Sequence, residues 1–292
     1  MPAPKPLISI ITPTYNAGKF IVRCMDSVQR QSFKGVEHLI IDAVSTDDTA
    51  AQVQSYQQQF QNIRLEIAKD KGVFDAMNKG IGLAQGDWLY FLGADDFLFN
   101  EETLQDILPI LSAQKNQIVY GNVFFQNLQR LYDDEFGIEK ILTRNICHQA
   151  IFYHTDVFSK IGFYNLNYRT ESDYEFNLRC WLSGQISHQF VPLTIAHYSD
   201  GGLSSTKPDE VFVRDYPTIT VDDLLSGHWN PFLKIHLLSL VYRKILIRKS
   251  YGLRDLTRAI FARKSIFYRI FAFIWMCLSS PFYWFTKSNK SA

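Results

Sequence analysis

"DKGVFDAMNKGIGLAQGDWLYFLGADD", residues 70–96, holds in one stretch the features from which the fold follows. Apolar residues recur at helical spacing over 73–84. An unbroken apolar run follows (Trp88, Leu89, Tyr90, Phe91, Leu92) and ends in adjacent carboxylates, Asp95 and Asp96. A helix feeding a short, continuously apolar strand is the repeat unit of a sheet buried on both faces. The two acids need a separate explanation, because neighbouring like charges repel and burying either one without a partner is costly. Neither is needed as a helix cap. "NEETLQDILPIL" (100–111) supplies Asn100 as cap, with Glu101 and Glu102 in the first turn of a helix predicted over 101–112. A strand end bearing two carboxylates suits a divalent cation.

The same alternation extends in both directions. Apolar, β-branched runs fall at "LISIIT" (7–12), "VEHLIID" (36–42), "IRLEIA" (63–68), "DWLYFLG" (87–93) and "QIVYGNVFF" (117–125), with helical patterns around 17–31, 47–60, 73–84 and 101–112. This order predicts an α/β fold with a mainly parallel sheet and helices on both faces. Ligands in such sheets bind beyond the carboxyl ends of the strands, which here are Thr12 to Asn16, Asp42, Asp70 and Gly93 to Asp96. Three of these four ends carry an Asp, a bias that scattered surface charge would not produce.

Composition sets the outer limits. The chain has 292 residues, 47% hydrophobic and 15% aromatic, enough for a large core and too apolar for wholesale disorder. Its net charge of +1 hides a split: residues 1–229 hold 18 Lys/Arg and 28 Asp/Glu, whereas 230–292 hold 12 Lys/Arg and one acid, Asp255. The two parts therefore face different partners. Cys24, Cys147, Cys180 and Cys277 form no CxxC pair and read as reduced thiols of a cytoplasmic protein. The opening "MPAPKPLISIITPTYN" reads as a first strand, with its apolar run ending at Pro13, and not as a signal peptide.

After the first strand comes "TPTYNAG", so the G-x-G-x-x-G cradle of dinucleotide-binding folds is absent. Asp42 and Asp70 can still hold a nucleotide through base or ribose, with Mg²⁺ or Mn²⁺ screening the diphosphate from the acids.

Four segments occur in order: "ISIITPTYNAGKFIVRCMDSV", "LIIDAVSTDDT", "DKGVFDAMNKGIGLAQGDWLYFLGADD" and "SDYEFNLR". Together they resemble glycosyltransferase family 2 over roughly residues 7–206, through joint occurrence and not through any one motif. The resemblance implies a Rossmann-like GT-A fold and an inverting, nucleotide-sugar-dependent enzyme of the hexosyltransferase class. It implies that Thr12, Pro13, Tyr15, Asn16, Asp42, Asp70 and Asp95 bind the nucleotide sugar. It puts Asp95 and Asp96 at the family's D-x-D position, with Asp96 as ligand of Mg²⁺ or Mn²⁺, although Ala94 stands where a strict D-x-D has its first acid. Asp173 becomes the general base and Glu171 its substitute. His197, before "SDGGLSS", is a further metal or phosphate ligand, and His148 and Gln149 lie on the acceptor side. A positioned carboxylate is the right kind of group, since a sugar hydroxyl must lose its proton as it attacks.

Each assignment has a plainer competitor. Asp42 could be a turn acid, Asp173 an N-cap, and the two histidines ordinary hydrogen-bonded residues. Two other functions share the fold: a nucleotidyltransferase, which would show a glycine-rich basic loop where "TPTYNAGK" has only Gly18 and Lys19, and a non-catalytic carbohydrate-binding relative, with little reason to keep Asp96 and Asp173 together.

The expected organisation is a catalytic domain over 1–229, with its nucleotide-sugar part at about 1–125 and its acceptor part at 126–229, followed by a basic, aromatic helical segment at 230–292. "SIFYRIFAFIWMCLSSPFYWF" (265–285) has one charge, Arg269, and is broken near its end by Pro281. "LKIHLLSLVYRKILIRKSYGLRDLTRAIFARK" (233–264) sets Lys and Arg among apolar residues. Such segments lie in the membrane interface and attract anionic lipid. The sequence thus reads as an enzyme of polysaccharide or glycolipid synthesis, peripheral on the cytoplasmic face of the membrane. Its acceptor would be a saccharide or lipid-linked saccharide, and it would have no nucleic-acid partner.

Overall fold

A computed structural model describes residues 5–113, 115–132, 134–199 and 209–226, and short helical pieces within 233–241. The membrane-facing expectation for 242–292, including the 265–285 run, lies outside the described residues. The chain divides into two compact units, Met1–Phe212 and Val213–Ala292.

In the first unit, helices alternate with strands as the apolar periodicity requires: β1 (Ile8–Thr14), α1 (Ile21–Gln29), β2 (Val36–Asp42), α2 (Thr49–Gln57), β3 (Ile63–Ile67), α3 (Val73–Leu83), β4 (Trp88–Phe91). Then come β5 (Phe97–Leu98), α4 (Thr103–Ser112), β6 (Ile118–Phe125), β7 (Arg130–Tyr132), α5 (Ile138–Ile141), β8 (Ile151–His154), α6 (Thr155–Ile161), α7 (Ser172–Leu182) and β9 (His188–Tyr198). α8 (Glu210–Ser226) begins at Asp209, whose Oδ1 accepts from the amides of Val211 and Phe212 as an N-cap should.

Nine strands among the described residues form one sheet, in the order β3-β2-β1-β4-β8-β6-β9-β5, with β7 paired to β6. The first half, β3-β2-β1-β4, is parallel throughout. The second half is mixed: β8 runs antiparallel to β4 and β6, and β5 antiparallel to β9, while β6 and β9 are parallel. The mainly parallel expectation therefore holds up to β4. Beyond it, β8 and β9 come from the irregular-looking stretch after residue 125 and insert into the same sheet. The chain runs outward from β1 through β2 to β3, then returns to place β4 on the other side of β1. That reversal makes the gap between β1 and β4 the topological switch point, where the carboxyl ends open a crevice.

α1 packs Ile21, Cys24, Met25 and Val28 inward at i, i+3, i+4, i+7 spacing. Ile21 and Met25 join Ile40 of β2 and Val53 of α2 in one cluster. At the opposite, amino edge a buried polar knot holds β1, β2 and the α3–β4 turn. Glu37 accepts from Ser9 Oγ and the Gln85 amide, both at 2.5 Å, and pairs with Arg64 at 2.8 Å, while the Gly86 amide donates to Ser9 Oγ at 2.8 Å. Gly86 sits so close to β1 that a Cβ would lie 2.7 Å from the Ser9 amide nitrogen and 2.9 Å from the Ile8 carbonyl carbon.

Helix starts are the least legible feature. α4 begins at Thr103, two residues after the predicted start, because Asn100 spends its side-chain oxygen on the Glu102 amide and the Thr103 hydroxyl in a turn that precedes the helix. Described residues of the second unit are helical, with Tyr216, Thr220, Leu224, Leu237 and Val241 buried.

The crowding at Gly86 gives a test of the fold. Gly86→Ala forces backbone apart at the amino edge and should destabilise the protein by about 1–3 kcal/mol. Urea unfolding checks it, and the circular dichroism of the folded state should not change.

Candidate active site

Two loops open the crevice on the β1–β2 side, and side chains stitch them together. The Asn16 amide donates to Ser45 Oγ at 2.8 Å, the Ala17 amide to Thr49 Oγ1 at 2.9 Å and the Gly18 amide to Asp47 Oδ2 at 3.0 Å. Asn16 Oδ1 in return accepts from the Thr46 amide at 2.8 Å. Asp42, fully buried at the end of β2, accepts from the Ser45 hydroxyl and amide at 2.5 and 2.8 Å. Asn16 and Val44 have positive φ, 49° and 60°. For the β-branched Val44 this is a strained conformation, fixed by the bonds Asp42 makes to the next residue.

The predicted nucleotide residues thus separate. Pro13 is half-buried, Tyr15 is 63% exposed at the crevice, and Asn16 and Asp42 organise its wall. Thr12 points into the sheet, where its hydroxyl meets His38 Nε2 at 2.9 Å and is buried. Asp70 accepts from the Gly72 amide at 2.9 Å, where the chain turns at φ 127° into α3.

Across the switch point the two adjacent acids differ. Asp95 is half-buried, and its backbone carbonyl accepts from Arg23, which also covers the Phe97 ring at 4.3 Å. Asp96 is 1% exposed, and both its oxygens are occupied: Oδ2 accepts from Gln149 Nε2 at 2.5 Å and Oδ1 from the Ser199 amide at 2.8 Å. Burial, and then the neighbouring Asp95 charge, push the Asp96 carboxyl up to about 6. β5 makes this possible. Its pairing of Phe97 with His197 brings the end of β9, and so Ser199, to the acid loop.

Gln149 belongs to a 3-10 turn, His148–Ala150, that also serves the second acid. His148 Nδ1 lies 3.3 Å from Asp173 Oδ2, and Asn145 Nδ2 donates to the same oxygen at 2.9 Å. Asp173 Oδ1 accepts from the Tyr174 amide at 2.8 Å. Asp173 stands in the first turn of α7, and the N-cap position is Glu171, which makes no side-chain cap bond. Glu175 turns away into a bidentate pair with Arg179, at 2.7 and 3.0 Å. His148, Gln149, Asp96 and Asp173 therefore form one connected group.

His197, paired with Phe97 beside the acid loop, is held by aromatic rings. Its ring is stacked between Phe97 and Phe99, with centroids at 4.5 and 4.9 Å, and Phe124 meets its edge. Burial holds it below the usual histidine range, so it is neutral at pH 7. No group of three His, Cys, Asp or Glu among the described residues collects as a ready-made metal site. A divalent ion held by one or two carboxylates and by the phosphates of its substrate does not need one. The donor set fits such an ion at Asp95, whose carboxylate is the more accessible of the pair. Asp96 is buried, but each of its oxygens accepts a single bond and keeps a second lone pair.

Sequence reading missed Asn145, Asn177, Tyr153, Ser45 and Ser199. None carries a charge, and their roles depend on strands that pair far apart in sequence.

The profile of glycosyl transferase family 2 matches residues 9–160. The chain is 36% identical over 219 residues to a PGL/p-HBAD biosynthesis glycosyltransferase of Mycobacterium bovis, covering 74% of this chain and 86% of that one. The fold matches that of Staphylococcus aureus TarS 1–349 in complex with UDP-GlcNAc (TM-score 0.70, 18% identity, 87% of this chain and 79% of that one). It also matches a mannosyltransferase of Pyrobaculum calidifontis in complex with GDP-Man and Mn²⁺ (TM-score 0.61, 16% identity, 98% and 84%). The chain belongs to glycosyl transferase family 2, and it is a glycosyltransferase with a GT-A fold.

The raised Asp96 carboxyl has a measurable consequence in metal-free protein. An unfolded Asp loses its proton near 3.8 and the folded Asp96 near 6, so between these values the unfolded state binds fewer protons. Asp96 therefore removes stability as pH rises through this window and adds no further loss above it. The Tm of the wild type minus that of Asp96→Asn should fall between about pH 4 and pH 6 and then stay level.

Proposed function

We propose that the chain transfers a sugar from a nucleotide-diphosphate sugar to a hydroxyl of a saccharide or lipid-linked saccharide, with inversion, in cell-surface glycan synthesis. The observation that carries this reading is the join between the acids. His148 contacts Asp173 and the next residue, Gln149, holds Asp96, so a base and the strand-end acids share one rigid turn. Neither rival function explains that join. A nucleotidyltransferase has no need of a base set there, and a binding module has no need of one at all.

In this reading the nucleoside lies against the stitched β1 and β2 loops, with Tyr15, Asn16, Asp42 and Asp70 around it. Asp95 and Asp96 would hold Mg²⁺ or Mn²⁺, Asp95 through the more accessible carboxylate and Asp96 through a lone pair not used by Gln149 or the Ser199 amide. The ion, when bound, neutralises the departing diphosphate. Asp173 takes the proton of the acceptor hydroxyl as its oxygen bonds to the anomeric carbon, and the bond to the diphosphate oxygen breaks on the opposite face. Attack from that face inverts the centre. The names of relatives support the substrate classes: TarS was solved with UDP-GlcNAc, the mannosyltransferase with GDP-Man and Mn²⁺, and the mycobacterial relative is named for PGL/p-HBAD biosynthesis.

Thermal shift with UDP-GlcNAc and GDP-mannose, with and without Mn²⁺, should show metal-dependent stabilisation by a nucleotide sugar, and Asp95→Ala should abolish its metal-dependent part. Asp173→Asn should keep that stabilisation and lower turnover by about 100-fold or more. Activity within a few-fold of wild type would move the base role to Glu171.

Attachment to the cytoplasmic membrane face is proposed from charge. Residues 230–292 carry 12 Lys/Arg against one acid, while the remainder is strongly acidic. Among the described residues no helix is long and apolar enough to cross a membrane. The full chain should co-sediment with anionic vesicles and only partly release in high salt, because apolar insertion is not screened as charge is. Equal binding to neutral vesicles would remove the electrostatic component.

A further inference from the structure

Asp173 stands at the end of a chain of hydrogen bonds that runs back into the core. The Tyr153 hydroxyl donates to Asn177 Oδ1 at 2.8 Å, Asn177 Nδ2 donates to Asn145 Oδ1 at 2.8 Å, and Asn145 Nδ2 donates to Asp173 Oδ2 at 2.9 Å. Tyr153 and Asn177 are fully buried, on β8 and α7. The Asn145 main chain is fixed as well, its carbonyl accepting from Tyr132 of β7 at 3.0 Å.

Amide orientation is often ambiguous, but here chemistry settles it. An ionised carboxylate only accepts, so Asn145 must present its NH₂ to Asp173 and its oxygen to Asn177. Asn177 must then give its NH₂ to Asn145 and keep its oxygen for the Tyr153 hydroxyl. The chain can run in one sense only, and every member on it is satisfied. A core gains nothing in stability from burying the Asn177 amide and the Tyr153 phenol where apolar side chains would pack. Satisfied end to end, such a network fixes one geometry.

We infer that Asn145 is a positioning residue for Asp173, oriented by Asn177 and Tyr153. The inference rests on the proposed reading of Asp173 as base. Asn145 occupies one lone pair of Oδ2 by a normal bond. The other side of that oxygen faces His148 at 3.3 Å, a contact long enough to yield to an incoming hydroxyl. The carboxylate is thereby held with its reactive oxygen toward the acceptor side. Other titratable groups near Asp173 are Tyr132 of β7, Tyr153 of β8 and Tyr164, all phenols that feel its charge.

The test is a carboxyl ¹³C NMR titration of the full chain, with the Asp173 signal assigned by its loss in Asp173→Asn. Asn145→Ala removes a donor to the charged form, so the Asp173 titration should move to higher pH, and Tyr153→Phe should move it less in the same direction. UDP-GlcNAc or GDP-mannose turnover with Mn²⁺ should fall about 10-fold in Asn145→Ala, with the acid limb of its pH profile moved up and the donor-induced thermal shift kept. An Asp173 titration unmoved in both variants overturns the inference. Movement in Asn145→Ala alone keeps Asn145 and removes Tyr153 from the relay. Should Asn145→Ala fail to fold, Tyr153→Phe, which deletes one oxygen, decides. The parent reading fails separately: if Asp173→Asn turns over like the wild type, Asp173 is not the base, whatever the titrations show.

Discussion

One buried carboxylate organises the site. Asp96 is taken out of water beside a second acid and is tolerated because two donors from distant segments reach it, Gln149 from the turn before β8 and the Ser199 amide after β9. A hydrogen bond to a charged group contributes about 1.5–3 kcal/mol, and leaving such a group unmet costs more. The second half of the sheet is thus needed for more than size. β8 and β9 deliver the two donors, and the turn that delivers Gln149 delivers His148 to Asp173 one residue earlier. Asp96 and Asp173 are thus met by the same piece of backbone.

Topology decides where this happens. The chain reverses direction across the sheet at β1, so the loops after β1, β2 and β4 spread apart over one crevice. On one wall, Asp42, Asn16, Asp47 and their serine and threonine partners lock two loops together and hold Val44 in a conformation that a β-branched residue resists. On the other, the short β5 ties the acid loop to β9, with Phe97, His197 and Phe99 stacked as its filling. Both walls are held by contacts within the chain itself.

Much of this was legible in the sequence, for physical reasons. The parallel half is made of contiguous apolar runs separated by helical periodicity, and both signals are local. Charged residues at strand ends are local too, so Asp42, Asp70, Asp95 and Asp96 could be singled out without coordinates, and Asp173 through the family resemblance of "SDYEFNLR". What stayed hidden is non-local. β8 and β9 pair with strands far from them in sequence, so neither the mixed half of the sheet nor the Gln149–Asp96 bond could be read from spacing. Thr12 sits on a predicted strand end, yet its side chain faces His38 inside the sheet. The neutral relay Asn145–Asn177–Tyr153 carries no charge pattern, and one amide among many looks like any other. The start of α4 was displaced because Asn100 bonded within its own turn.

The central claim is that Asp96 and Gln149 hold the two halves of the site together, and a double-mutant cycle addresses it without needing a substrate. Asp96→Ala, Gln149→Ala and the double variant would be unfolded in urea at pH 7.5, where Asp96 is ionised. The structure predicts a coupling energy of about 1.5–3 kcal/mol, as for a buried hydrogen bond to a charge. Additive losses, agreeing within about 0.5 kcal/mol, would show that the two side chains do not depend on each other and would contradict the account.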